Sequence, residues 1–258
     1  MASINHSQWR VIGLETHDAF MNMALDEACS EAVASGASAP TIRFYQWKPS
    51  AVSIGYFQSL EDEVAVSKCV DAGVDIIRRR TGGGAVYHDF DGEITYSILA
   101  PENIMPSGIT ESYHLICGWI VDGLREIGIE SEFKPINDII AVGAGGGKKI
   151  SGNAQTRRNG VLLQHGTILH DVDVRKMFSL LKVGQEKIAD KMIAAVEERV
   201  TCVKRLSSVT KDELYEGLLK GFTKGKEWEF GTWSAGELER AKKLVVERYR
   251  TDDWGWMR

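Results

Sequence analysis

Arg78-Arg79-Arg80-Thr81-Gly82-Gly83-Gly84-Ala85-Val86-Tyr87-His88-Asp89 gathers three arginines, three consecutive glycines and a histidine into one short stretch. The glycines leave the backbone bare where a ligand or another strand can approach, and their permissive dihedrals can turn amide groups toward an anion. The arginines can add fixed positive charge and bidentate contacts to phosphate, and His88 can hydrogen-bond a polar ligand group. The chemistry on offer is a phosphate cradle. A plain glycine turn flanked by solvated arginines is the alternative these residues leave open.

A second stretch, Gly147-Lys148-Lys149-Ile150-Ser151-Gly152-Asn153-Ala154, follows Asn137-Asp138 and precedes Gln164-His165-Gly166. On a strand Lys148 and Lys149 point to opposite faces, so one can meet a buried ligand while the other stays in water. Alternation alone does not say which. A lysine lodged against glycines can neutralise a carboxylate and a phosphate together, which suits joining those two groups. An exposed basic hairpin end is the plain alternative. Spacing excludes other readings. A nucleotide phosphate loop would need glycine at Val142 and a hydroxyl at Lys149, and a dinucleotide fingerprint counted from Gly82 would need glycine at Tyr87. His165 and His170 lie near Asp171 and Asp173, but no His-Glu-x-x-His arrangement exists to argue for a metal cluster.

These stretches need elements to hold them. Met21, Leu25, Ala28 and Ala32 recur at helical spacing and predict a helix over Ala19–Ala34, capped by Asp18 and ending near Gly36. Branched and aromatic runs predict strands at Thr41–Trp47, Ala51–Tyr56, Val74–Arg79 and Glu93–Ala100, with a short helix at Glu61–Asp71. The triple glycine then sits between β elements. Tyr113, Ile116, Ile120 and Leu124 predict a second core helix over Thr110–Ile127, stopped by Gly128. Strands at Asp138–Val142, Lys149–Ala154 and Val161–Leu169 are joined by glycine hairpins at 143–147 and 158–160. After Asp171 the pattern turns helical, with helices expected at Val174–Leu181, Gln185–Arg199, Lys211–Phe222 and Ala235–Arg248. Strands interleaved with helices and hairpins indicate α+β rather than regular βαβ alternation.

The chain has 258 residues, long enough to bury a sizeable core, and its 36 acidic against 31 basic residues give a net charge of −5. That balance offers no global attraction to nucleic acid or to an anionic membrane, so neither is an expected partner. Cys29, Cys69, Cys117 and Cys202 are scattered without metal or disulfide spacing, which fits a reducing cytoplasm. No apolar run approaches the length needed to span a bilayer, and Met1–Arg10 lacks the pattern of a leader. Trp228, Trp233, Trp254 and Trp256 are expected to pack internally.

Taken together, Arg43-Phe-Tyr-Gln-Trp47, Ser53-Ile-Gly-Tyr-Phe-Gln58, the Arg79–Asp89 stretch, Asn137-Asp138, Lys149-Ile-Ser-Gly-Asn-Ala154 and Gln164-His-Gly-Thr-Ile-Leu169 resemble the lipoate–protein ligase family. Their order and spacing match from about Trp9 to Leu169, and the resemblance extends to Thr251-Asp-Asp-Trp254. It implies the fold shared with biotin protein ligases and class II aminoacyl-tRNA synthetases, an α+β domain on a mixed, largely antiparallel sheet flanked by helices. One catalytic domain is expected over residues 1–258, helix-rich from about residue 171 and without the C-terminal accessory domain that many family members carry.

The resemblance further implies ATP-dependent activation of lipoate to lipoyl-AMP, then transfer of the lipoyl group to a carrier lysine. ATP, lipoate and an activating Mg2+ are the implied small molecules, with no residue assigned as a direct metal ligand. Lys149 matches the lysine that contacts the lipoyl carbonyl and the AMP phosphate, and Arg79 an ATP-contacting arginine. Gly84, Ala85, Val86 and Tyr87 match the nucleotide-binding stretch, Asp138 lies near the adenylate, and Gly82, Gly83, His88 and His165 match positions lining the lipoate pocket. Implied partners are lipoyl domains of 2-oxoacid dehydrogenase acyltransferase subunits and the glycine-cleavage H protein, with a separate small accessory ligase subunit as a further possibility. An octanoyl or lipoyl transferase of the same fold is the competing expectation. Transferases resembling this chain place a nucleophilic cysteine shortly before the Lys-Ile-Ser-Gly motif, and 133–147 contains none. A binding-only module is disfavoured, because holding lipoate alone needs no ATP-facing groups.

Overall fold

A computed structural model of the protein describes residues 8–143, 147–182 and 194–258. The chain opens with β1 (Gln8–His17) and α1 (Ala19–Ala34), then β2 (Thr41–Trp47) and β3 (Ala51–Ile54). Two short helices, α2 (Leu60–Glu63) and α3 (Val66–Asp71), lead to β4 (Asp75–Arg78), β5 (Val86–His88) and β6 (Glu93–Pro101). After α4 (Ile109–Glu126) come β7 (Ser131–Lys134), β8 (Asp138–Ala141), β9 (Lys148–Arg158) and β10 (Val161–Leu169). The remainder holds α5 (Val174–Leu180), a helical stretch α6 at 194–199, α7 (Val203–Leu206), α8 (Lys211–Thr223), β11 (Glu227–Phe230), α9 (Ala235–Leu244) and α10 (Asp252–Gly255).

Eight strands form one sheet in the order β11-β1-β2-β6-β10-β9-β8-β7, and β4-β3-β5 form a second. In the large sheet β1 runs parallel to β11 and β2, while the other neighbours pair antiparallel. The expected α+β architecture on a mixed, largely antiparallel sheet is therefore what the chain adopts. No described helix is long and apolar enough to cross a membrane.

Strand β2 shows why the sheet is covered on both faces. All seven of its residues are buried, and its side chains alternate between the two sides. Ile42 and Phe44 join the core under α4 and α8, where Phe44 meets Phe222 edge to face at 5.3 Å, a contact worth about 0.5–1.5 kcal/mol beyond its buried area. Tyr45 and Trp47 point the other way and pack with Ala19, Met23 and Leu25 of α1. Arg43 shares that second face and is fully buried, its Nη1 donating to Asp26 Oδ1 at 2.8 Å. One face of β2 thus builds the core under α4 and α8, and the other packs an apolar cluster against α1 with the Arg43–Asp26 pair set into it.

Helix α1 has the expected bounds, with Asp18 Oδ1 accepting from the Met21 amide at 2.7 Å. Four strands were not visible in the residue pattern: β1, β5, β7 and β11. The single helix expected over Glu61–Asp71 is two, because Val64 leaves helical geometry to bridge Leu181 in the β manner. The helix expected over Ala235–Arg248 ends as α9 at Leu244 and continues as a π-helical turn, Val245–Tyr249. Most of the expected helix at Gln185–Arg199 and the centre of the 143–147 hairpin lie outside the described residues. Trp228, Trp233 and Trp254 are part-buried as expected, but Trp256 is 45% exposed.

Candidate active site

Two cavities of about 220 Å³ each meet where the small sheet faces β9 and β10, and both are lined by Ala85, Val86, Lys149 and Gly152. The first has an apolar floor of Met23, Tyr45 and Trp47 from α1 and β2, and a rim formed by Gly83 and Gly84. The second is lined by Tyr87, Leu169 and Met177, with Asp89, Asp171 and Asp173 among its walls. Ser151 also lines it, and the buried Ser151 Oγ has no hydrogen-bond partner among the described residues. A buried hydroxyl left unsatisfied carries a cost that a polar ligand would relieve.

Lys149 stands at the seam because β9 carries a bulge. Ile139 pairs with Ser151 and Ile140 with Lys149, so Ile150 is one residue more than β8 can match. A bulge of this kind re-aims the side chains beside it. Lys149 turns into both cavities, its Nζ 2.7 Å from Asp138 Oδ1. Lys148 instead reaches the Glu197 carbonyl at 3.5 Å, which settles the question that alternation left open. Gly152 makes the room: a Cβ there would stand 2.9 Å from Lys149 Cε and 3.0 Å from Nζ.

The three arginines before the glycines go to three different places. Arg78 donates to five main-chain carbonyls, those of Gly55, Tyr56, Gln58, Trp254 and Gly255, and so ties α10 to the loop after β3. Arg80 pairs with Glu27 of α1 at 2.8 Å. Arg79 is 5% exposed, and its five N–H groups go to Thr81 Oγ1, Ser53 O, Ser53 Oγ, Gly82 O and Gly84 O at 2.8–3.2 Å. Burial pulls its pKa down to about 10, which leaves it charged at neutral pH. The resemblance implies an ATP-contacting Arg79, yet in this conformation a ligand meets its charge while its donors hold the glycine loop. That loop crosses β3 so closely that a Cβ on Gly55 would lie 2.1 Å from the Gly83 carbonyl oxygen.

Both histidines of the first cavity are buried and paired on each ring nitrogen. His88 lies 2.8 Å from Ser53 Oγ through Nε2 and 2.7 Å from Glu93 Oε1 through Nδ1, and it stacks on Trp47 with centroids 4.1 Å apart. His165 lies 2.7 Å from Thr81 Oγ1 through Nε2 and 3.3 Å from Asp26 Oδ2 through Nδ1. Burial holds the His165 pKa below its ordinary value, outweighing the opposite pull of Asp26. Asp26 is also bonded by Arg43 and Ser97, and its pKa is lowered: burial alone would raise it, and the His165, Arg43 and Ser97 contacts outweigh that.

The site thus brings together most residues singled out in the sequence. Arg79, Gly83, Gly84, Ala85, Val86, His88, Lys149 and His165 line the first cavity, and Tyr87 lines the second. Gly82 lines neither and contributes its carbonyl to Arg79, while Asp138 enters through Lys149. Sequence reasoning missed the floor residues Tyr45 and Trp47 and the buried partners Asp26, Ser53, Thr81 and Glu93. Alternation along β2 would have grouped Arg43, Tyr45 and Trp47 on one face, and a buried arginine asks for a carboxylate. No cysteine lines either cavity. All four are buried, and burial pushes the thiols of Cys29 and Cys117 up to about 12.

Residues 18–223 match the family described as the lipoyl protein ligase A/B catalytic domain. The chain is 37% identical to an octanoyltransferase LipM of Brevibacillus brevis, over 97% of this chain and 99% of that one. Among solved structures it is similar to a chain from an archaeal lipoylation system of Thermoplasma acidophilum, described as a bi-partite lipoate protein ligase and its E2 lipoyl domain. That likeness has a TM-score of 0.87 and 32% identity over 97% of each chain. A lipoate-protein ligase A bound with ATP superposes with a TM-score of 0.82 and 30% identity, over 96% of this chain and 98% of that one.

Proposed function

The chain belongs to the lipoyl protein ligase A/B catalytic domain family, and on that premise we propose that it activates a lipoyl or octanoyl acid as an acyl-adenylate and transfers the acyl group to a carrier lysine. We read it as the catalytic part of a two-part ligase, as in the bi-partite relative. The observation that carries the ligase reading is the placement of Lys149 at the junction of two cavities that no cysteine reaches. A cationic donor between a slot floored by Met23, Tyr45 and Trp47 and a second cavity walled in part by Asp89, Asp171 and Asp173 suits a mixed anhydride, whereas an acyl-enzyme needs a reachable thiolate.

In this reading the apolar floor of Met23, Tyr45 and Trp47 takes the acyl chain, and its carboxylate comes to rest beside Lys149. The nucleotide occupies the second cavity, where Ser151 and the aspartates supply partners for its hydroxyl and amino groups. A carboxylate oxygen attacks the α-phosphorus and pyrophosphate leaves. The carrier amine then attacks the acyl carbon, AMP leaves with the bonding pair, and the amine proton passes to solvent. Lys149 and the glycine-loop amides offset charge first on the phosphate and then on the carbonyl oxygen. Asp138 holds Lys149 in place. Among the described residues no three His, Cys, Asp or Glu side chains gather as a metal-binding group. Magnesium, when bound, would screen the charge of the triphosphate, and Asp89, Asp171 and Asp173 on the second cavity are the carboxylates that would meet it.

The second reading is an octanoyltransferase, favoured by full-length likeness to LipM proteins. One experiment separates the two. The purified chain is given octanoyl-AMP and an E2 lipoyl domain in one reaction, and octanoyl-carrier protein and the same domain in another, with intact mass followed in both. The ligase reading expects octanoylated domain from octanoyl-AMP and no acyl adduct on the enzyme. A covalent octanoyl group on a cysteine of this chain, or transfer only from the carrier protein, would replace it with the transferase reading.

A further inference from the structure

Arg79 is a buried cation with no carboxylate partner among the described residues, yet two chains of contacts lead away from it and each ends on a buried carboxylate. One runs Arg79 Nε, Thr81 Oγ1, His165, Asp26, with steps of 3.1, 2.7 and 3.3 Å. The other runs Arg79 Nη1, Ser53 Oγ, His88, Glu93, with steps of 3.1, 2.8 and 2.7 Å. Asp26 and Glu93 are 2% and 1% exposed.

The ends fix the direction of the outer bonds in these chains, and the hydroxyl protons fix the rest. A guanidinium can only donate and a carboxylate can only accept. Each hydroxyl accepts from Arg79, and because its single proton has no other acceptor among the described residues, it goes to the Nε2 of its histidine. Each histidine is then neutral, with its proton on Nδ1 and donated to the carboxylate. The chain through Glu93 is braced further, since Thr95 Oγ1 donates to Glu93 Oε1 and Trp47 Nε1 donates to Thr95. Two serial networks with the same order of groups converge on one guanidinium, and such networks stand or fall as units.

We propose that Asp26 and Glu93 are positioning residues: through Nδ1-protonated His165 and His88 they aim the hydroxyls of Thr81 and Ser53 at Arg79, which in turn holds the carbonyls of Gly82 and Gly84 and shapes the rim of the acyl cavity. They touch no reacting atom. Their effect reaches the chemistry only through the glycine loop, whose Gly83 and Gly84 line the acyl cavity, so the inference rests on the acyl-adenylate reading above.

The test has two arms. In the first, the full chain is prepared with nitrogen-15 in its histidines, and the ring signals of His88 and His165 are assigned with His88→Gln and His165→Gln. Both rings are expected as the Nδ1–H tautomer at pH 7.5; an Nε2–H tautomer on either ring overturns the proposal whatever the enzyme catalyses. In the second arm, Thr81→Val, which keeps the shape and loses the hydroxyl, is compared with Thr81→Ser using octanoyl-AMP and an E2 lipoyl domain. Thr81→Val should lower kcat by about 10–100-fold, the range seen when an outer partner of a metal-bound histidine is removed. KM for the domain should be unchanged, and Thr81→Ser should recover most of the rate. A Thr81→Val enzyme with the parent kcat, or no recovery with serine, overturns the proposal. If the parent chain neither binds nor transfers octanoyl-AMP, the ligase reading fails by itself and the tautomer arm decides the relay.

Discussion

Lys149 and Asp138 form an ion pair of 2.7 Å at the seam between the two cavities, with 42% and 33% of their side chains exposed. A pair this open to water adds little to stability, so its geometry bears on the site rather than the fold. Lys149→Ala should leave the unfolding midpoint close to that of the parent and lower acyl transfer from octanoyl-AMP by about 10²–10³, as when one preorganised donor is lost. Single-turnover kinetics beside a urea titration checks both halves, and near-normal turnover would remove Lys149 from the mechanism.

Gly152→Ala tests the same lysine without touching it. The new methyl would collide with the flexible end of Lys149 at 2.9–3.0 Å, so the lysine can swing aside and the chain should still fold. Activity should fall nearly as far as in Lys149→Ala. Combining the two substitutions should cost little beyond either one, because both remove a single interaction. Additive losses in the double variant would show that the methyl acts elsewhere.

Gly55→Ala has no such escape. Its Cβ would meet the backbone oxygen of Gly83 at 2.1 Å, and the glycine loop or β3 must move to admit it. The expected outcome is a destabilisation of about 1–3 kcal/mol, as for overpacking a filled site, together with loss of octanoyl-AMP binding. Calorimetric titration and urea unfolding measure the two effects, and unchanged binding would mean that the loop position does not matter.

Acid should weaken the fold through His165. Its folded pKa lies below the ordinary value of 6.5, so in the acid range the unfolded chain binds a proton that the folded chain refuses. By linkage, the contribution of this group is fully present above about pH 6.5 and is lost as the pH falls toward the folded pKa. Asp26, held below its ordinary 3.8, adds a second loss of stability only below that value. Urea midpoints from pH 7.5 to 5 should fall in the parent and fall less in His165→Gln; parallel profiles would show that His165 is not the group responsible.

Arg78→Lys probes the strut beneath the glycine loop. A lysine offers three donors from one point where the guanidinium serves five carbonyls spread over two segments. At least two carbonyls lose their partners, and the expected cost is about 2–4 kcal/mol. Protease sensitivity should rise first near α10, where the Trp254 and Gly255 carbonyls are released; cleavage patterns unchanged from the parent would argue against the strut.

How much of this could be read from the chain depended on where each partner lay. The bounds of α1 and β2 were legible because capping and packing there are local. Strands β7 and β11 were hidden because they are short, charged edges of the sheet, Ser-Glu-Phe-Lys and Glu-Trp-Glu-Phe, the kind of sequence that protects an edge. Strand β1 was hidden because its register shifts between Ile12 and Glu15, which breaks the alternation that marks a strand. The arginine run was legible as positive charge near glycines and illegible in its use, since the partners of Arg78 at 254 and 255 and of Arg80 at 27 are remote in sequence. The Asp26 and Glu93 relays were out of reach for the same reason, whereas Lys149 and the glycine loop announced themselves by spacing.

The bulge in β9 sets which kinds of genetic change the site tolerates. Because Lys149 is aimed by the count of residues between its own pairing and that of Ser151, exchanging the side chain at Lys148 or Ile150 leaves the aim intact. Removing one residue from that interval erases the surplus and turns the side chains on one flank of the bulge to the opposite face of the sheet. An insertion or deletion of a single codon here would thus disable the site as surely as replacing Lys149 itself.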